Sequence, residues 1–158
     1  MQTLEPIIAE LPLFKGMKAE HIKIITGCAA NVRFKAGEFV GREGEPADKF
    51  WVVRHGRLSL EIHAPGRGPL TFQTIGDDDV AGWSWVVSPQ HMLRFDIHAI
   101  TPTSALMFDG KCLRGKFDND YELGYELMKR FSHVVLRRLE AMSIQLLDLY
   151  GDHYGEHD

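Results

Sequence analysis

Cysteine is scarce: Cys28 and Cys112 are the only two in 158 residues. That is no disulfide framework and no zinc spacing, so the expectation is two small apolar thiols in a reducing compartment, and with it a cytoplasmic address. No apolar run approaches the ~20 residues of a membrane span; Phe50-Trp51-Val52-Val53 and Trp85-Val86-Val87 read as strands instead. Met1 to Glu10 carries neither a basic stretch nor a long apolar core, so no signal peptide is expected. Positive charge is not in excess: 18 Lys and Arg against 22 Asp and Glu give a net charge of −4, which removes a basic whole-domain field as an argument for nucleic-acid binding. No low-complexity tract and no repeat of about 20–50 residues is visible.

What is present is an ordinary globular mixture, 44% hydrophobic and 25% charged. A chain of this length buries about 70% of its unfolded surface and needs no staples. One domain over 1–158 is expected.

Three regions follow one another. In 1–30, Leu4, Ile7, Ile8, Leu11 and Phe14 recur at helical spacing with Pro12 interrupting, and Lys18 to Ile25 reads as a second short helix closed by Gly27. In 31–110, short apolar pieces alternate with Gly37, Gly41, Gly44 and Gly56. Leu58, Leu60 and Ile62 keep period two, Ala64 to Pro69 is a turn, and Leu70 to Ile75, Trp83 to Val87, Phe95 to Ile100 and Ala105 to Phe108 follow as strands. Short strands with such punctuation predict a small antiparallel jelly-roll barrel, mainly β with flanking helices. In 111–150, a long C-terminal helix is expected from Tyr121 to Tyr150, ahead of a polar tail over 151–158. Met128, Val135, Met142 and Leu149 fall seven apart, with Phe131, Leu139 and Leu146 between them. This heptad-like stripe predicts a homodimer seam, while Leu123, Leu127 and Val134 widen the apolar face toward the chain's own barrel.

Particular residues carry a resemblance. Leu13-Phe14, Lys35-Ala36-Gly37-Glu38, Arg42-Glu43-Gly44-Glu45-Pro46-Ala47-Asp48 and Phe50-Trp51-Val52-Val53-Arg54-His55-Gly56-Arg57-Leu58 occur in the order and spacing of the cyclic nucleotide-binding domain of the catabolite-activator (Crp/Fnr) superfamily. The resemblance runs from about Leu11 to Tyr150. It implies a regulatory module, not an enzyme, acting in signal transduction, with cyclic AMP or cyclic GMP as the candidate ligand and no other cofactor required. Gly37, Gly44 and Gly56 fall where tight strand connections need positive φ.

In the family, the phosphate-binding segment opens a short helix with Gly-Glu. Its backbone N–H groups receive the cyclic phosphate, the Glu accepts from the ribose hydroxyl, and a downstream Arg pairs with the phosphate. Here that segment is Asp77-Asp78-Asp79-Val80-Ala81-Gly82-Trp83-Ser84-Trp85-Val86-Val87. Gly82 keeps its place, but Trp83 stands at the Glu position. Counted back from His98-Ala99, the Arg position falls on Leu93; Arg94 comes one residue late, on the opposite strand face unless a bulge intervenes. Losing the ribose acceptor costs about 1–3 kcal/mol, and losing the phosphate's charged partner about 2–5 kcal/mol, together several decades of affinity. The candidate pocket is Gly82, Trp83, Ser84, Trp85 and Arg94. The Gly-Trp-Ser-Trp segment also resembles a subgroup of small bacterial proteins with this fold and no DNA-binding domain.

Other constellations read as structure. The chain ends eight residues after Tyr150, so no recognition helix and no direct DNA binding are expected; Lys129-Arg130 and Arg137-Arg138 read as a solvated helix face. His153 and His157 flank Glu156 in the tail, and Asp77-Asp78-Asp79 lacks a spaced calcium-loop pattern, so no metal site is expected. Ser84, His91, Asp96 and His98 lack a Gly-x-Ser-x-Gly elbow. Two functions stand. One is a sensor with a degenerate nucleotide pocket that signals through its C-terminal helix to a protein partner. The alternative is a constitutive dimerisation module whose pocket is plugged by Trp83 and Trp85.

Overall fold

The structure is a computed structural model and describes residues 3–86 and 91–154. Two short helices come first, α1 (Glu5–Glu10) and α2 (Ala19–Thr26). Pro6 enters the first turn of α1, where its missing N–H costs nothing, and Gly27 closes α2. Eight strands follow: β1 (Ala29–Phe34), β2 (Phe39–Gly41), β3 (Lys49–His55), β4 (Leu58–Ala64), β5 (Gly68–Ile75), β6 (Val80–Ala81), β7 (Asp96–Ala99) and β8 (Thr103–Asp109). They form two antiparallel four-stranded sheets, ordered β1-β8-β3-β6 and β2-β7-β4-β5, a jelly-roll-like arrangement. Helix α3 (Gly110–Phe117) and the 34-residue α4 (Tyr121–Tyr154) complete the chain.

The first sheet separates two cores. On β3, Trp51 and Val53 face the barrel interior, where they join Leu58, Leu60, Ile75, Ala81, Ile97, Ala99 and Ala105. The alternate residues Phe50 and Val52 face the helices, with Phe14, Ile25, Trp85, Leu106, Phe108, Leu113, Leu127 and Phe131. Period two on a strand buried on both faces produces this division. The β3–β4 hairpin turns at Gly56 (φ 120°), where a Cβ would sit 2.7 Å from the Pro102 carbonyl oxygen, so glycine is required there.

Four expectations are corrected. Trp83 to Val87 is no strand: Ser84–Val86 is a single 3-10 turn, and Val87 lies outside the described residues. Helix α4 does not stop at Tyr150 but continues to Tyr154, into the stretch expected as tail; His157 lies outside the described residues. Phe131 does not belong to a dimer seam: it is 1% exposed and meets Phe50 and Trp85 edge-on. The cysteines are not free thiols. Cys28 and Cys112 form a disulfide across 84 positions, their Cα atoms 5.7 Å apart. A low cysteine count argues against a framework of bridges, but it does not exclude one bridge when the fold lays the end of α2 beside α3.

Candidate functional site

The candidate segment begins where β6 leaves the first sheet. Gly82 takes φ 81°, and a Cβ there would meet the Lys49 carbonyl oxygen at 3.0 Å and Trp51 Cζ3 at 3.4 Å. The left-handed residue turns the chain off the sheet edge and starts the 3-10 turn. In the loop before it, the three aspartates serve the backbone. Asp77 Oδ1 accepts from the Gly56 N–H at 3.1 Å, and Asp79 Oδ2 accepts from the Gly76 N–H at 3.2 Å. Asp78 adopts φ 66°, and its N–H donates to the Val53 carbonyl at 2.7 Å.

The two tryptophans of the segment turn toward the helix-side core, not the barrel interior. Trp85 is fully buried, stacked on Phe50 with ring centroids 5.1 Å apart. Its carbonyl accepts from the Arg114 guanidinium, and its indole N–H has no partner among the described residues. Gly110 of α3 lies against it so closely that a Cβ there would come within 2.9 Å of Trp85 Cε3. Trp83 is half-buried at the rim of the same core. Ser84 between them is half-buried.

The indole inside the barrel is Trp51. Its Cζ3 edge meets Gly82, while Cη2 reaches to 4.0 Å from where Gly41 would carry a Cβ. Leu93 Cδ1 approaches that same Gly41 position at 2.8 Å, and Leu93 is buried. Trp51 therefore reaches from Gly82 toward Gly41, whose missing Cβ also leaves room for Leu93, the counted position of the phosphate arginine. Arg94 is exposed. Leu93 is held at both ends of its backbone, its N–H donating to the Glu45 carbonyl and its carbonyl accepting from Gly44, each at 2.8 Å.

Arg138 was read as part of a solvated face, yet it closes the other side of the segment. Its guanidinium donates to the Val80 carbonyl and lies 5.3 Å from the Trp83 ring centre, a cation–π distance. Burial pushes its pKa down from the ordinary value; Asp79 opposes this and Arg137 adds to it. A signal for it existed. Leu123, Leu127, Phe131 and Val134 are the buried stripe of α4, and Arg138 takes the next position on it. A cation on an apolar stripe points to a partner. Beside it, between α4 and the β5–β6 connection, lies a cleft of about 410 Å³ lined by Leu13, Gln73, Asp78, Asp79, Arg137 and Arg138 among others. Gln73 Oε1 and Arg138 Nη1 are buried without hydrogen-bond partners among the described residues.

The remaining candidates are engaged elsewhere. Buried Asp96 accepts from the Glu43 N–H at 2.8 Å and lies 3.4 Å from His63 Nε2, and His98 Nδ1 lies 3.1 Å from Glu61 Oε1.

This barrel, with a positive-φ glycine opening a short helical turn against a long helix, defines a class. Residues 31–120 match the model of the cyclic nucleotide-binding domain family, and the chain belongs to that family. It is 25% identical over 146 residues to the CRP-like cAMP-activated global transcriptional regulator of Mycobacterium tuberculosis, covering 92% of this chain and 63% of that protein's length. Among solved structures, a cyclic nucleotide-binding domain from Methylobacillus flagellatus superposes with a TM-score of 0.77 at 16% identity, over 92% of this chain and 82% of that one. A putative cyclic nucleotide-binding protein from Geobacter metallireducens gives 0.76 at 22% identity, over 88% and 99%. No helix among the described residues is long and apolar enough to cross a membrane.

Proposed function

We propose that this chain is a non-catalytic regulatory module of the cyclic nucleotide-binding fold that acts as a homodimer through α4, engages a protein partner, and does not hold cyclic AMP or cyclic GMP in the family's manner. The observation that carries the reading is the Trp51 indole lying between Gly82 and Gly41, beside buried Leu93. A nucleotide entering there must displace an indole, and it meets Leu93 at the counted arginine position and Trp83 at the counted glutamate position. Desolvating a phosphate without a charged partner costs about 2–5 kcal/mol.

The plug differs from the one expected. Trp83 and Trp85 belong with the helix-side core, and it is the tryptophan of β3 that occupies the barrel.

The activation of the mycobacterial relative by cAMP makes that nucleotide the first to titrate. Calorimetry with cyclic AMP and then cyclic GMP, alongside thermal shift, is expected to be silent to millimolar concentration. A ligand at 100 times its dissociation constant adds about 2.7 kcal/mol and raises the melting temperature by roughly 5–11 °C. Micromolar heat with such a shift overturns the reading.

The cleft beside α4 favours a second reading, a sensor for a different small ligand. Gln73, Arg137 and Arg138 line its wall, with Asp78 and Asp79 beside them. A ligand there would bear directly on the long helix and on the Val80 carbonyl that Arg138 holds. Binding that Arg138→Met abolishes would support this reading.

A further inference from the structure

We propose that the Cys28–Cys112 disulfide is a thiol–disulfide exchange site, opened by a dithiol reductant, whose state sets how firmly α3 holds the 3-10 turn Ser84–Val86 and the start of α4. Cys28 lies between α2 and β1, 6% exposed in the helix-side core; Cys112 is half-exposed in the first turn of α3.

Helix α3 is poorly able to hold itself. It has eight residues, two of them Gly110 and Gly115. Gly115 in its interior costs about 1 kcal/mol relative to alanine, and helices this short are marginal without tertiary support. Its position therefore depends on its ties. Asp109 accepts from the Cys112 N–H at 3.1 Å and donates its own N–H to the Cys28 carbonyl at 2.9 Å. Gly110 donates to the Asp48 carbonyl at 2.8 Å and packs on Trp85, while Arg114 donates to the Trp85 carbonyl. One flank of α3 thus holds the 3-10 turn, and the other is bonded covalently to the chain ahead of β1. A connection of three residues, 118–120, leads from α3 to α4, whose Leu123 N–H is accepted by Asp120 Oδ1 at 3.0 Å. Helix α3 thus ties the turn to the start of α4, in addition to the direct contacts of Trp85 with Phe131 and of Arg138 with Val80, and the disulfide anchors α3.

The exchange has a defined direction. A thiolate of the dithiol attacks the more accessible Sγ of Cys112. The Cys28–Cys112 bond breaks and Cys28 leaves as a thiolate, which takes up a proton. The reductant's second thiolate then displaces Cys112 from the mixed disulfide. The protein gains two thiols and the reductant becomes a cyclic disulfide, a balanced two-electron exchange.

Only the last step, transmission to α4, rests on the reading above. The test treats the full oxidised chain with dithiothreitol under native conditions, counts thiols, and follows hydrogen exchange by peptide. Two thiols are expected to appear together, with exchange over 110–117 and 84–86 rising tenfold or more while β3 and β8 stay protected. The Cys28→Ser/Cys112→Ser double variant should reproduce the reduced pattern without reductant. Thiols that appear only in denaturant, or exchange that rises evenly along the chain or not at all, overturn the proposal. A loosened α3 with unchanged exchange at the start of α4 overturns the coupling alone. The dimer reading of α4, which a mass measurement tests separately, then stands.

Discussion

Trp51 decides more at the candidate site than any residue of the Gly-Trp-Ser-Trp segment. It lies in the barrel core, and in the proposed reading it takes the ligand's place while Leu93 and Trp83 withhold the charges a nucleotide needs. The triple variant W51L/W83E/L93R restores room, carboxylate and guanidinium together. Returning a phosphate's charged partner is worth about 2–5 kcal/mol, so cyclic AMP affinity should rise by roughly two to three decades over the parent, measured by calorimetry. Two neighbours make quieter predictions. Gly82→Ala forces a Cβ into left-handed backbone against the Lys49 carbonyl at 3.0 Å and should cost about 1–3 kcal/mol in urea unfolding. Arg138→Met removes the donor to the Val80 carbonyl and should cost about 1–3 kcal/mol.

Helix α4 has three faces. Leu123, Leu127, Phe131 and Val134 pack on the chain's own core, while Lys129, His133 and Arg137 form a charged edge. Between them Met128, Val135, Leu139, Met142, Leu146 and Leu149 are 39–61% exposed along one stripe. An apolar stripe of this length predicts a facing helix. Leu139→Lys with Leu146→Lys should halve the mass seen by light scattering while the monomer stays folded. Phe131→Ala separates the faces. It should leave the mass unchanged yet destabilise by about 3–5 kcal/mol, because it opens a cavity beside Phe50 and Trp85. The heptad spacing was legible in the sequence and Phe131 fits it. Periodicity does not say whether the chain's own barrel or a second copy covers a given turn.

At the scale of the whole molecule, the disulfide closes a loop of 84 positions between α2 and α3. By the loop-entropy model such a link stabilises by about 4–5 kcal/mol through the unfolded state. Reduction should therefore lower the melting temperature by roughly 10 °C or more in a differential scan. A chain with a two-sheet core and a helix-side core should remain folded after that loss.

The amino-acid sequence by itself determined the order of elements, the apolar strand β3 and the period-two strand β4, the glycine turns and the extent of the long helix to within four residues. These follow from local sterics and from hydrophobic alternation, which each segment carries with it. A register count, which needs no coordinates, also puts Trp83 and Leu93 at the positions where the resemblance implies Glu and Arg. Only the tertiary structure decided which core each aromatic enters. Trp83 to Val87 reads as a strand from composition, but a left-handed Gly82 turns the chain and the helix-side core draws Trp85 in. Likewise, the pairing of Cys28 with Cys112, the place of Arg138 over Trp83 and the presence of Trp51 in the barrel depend on which distant segments meet. Contacts between residues far apart in the chain are set by the packing of whole layers, and no local pattern encodes them.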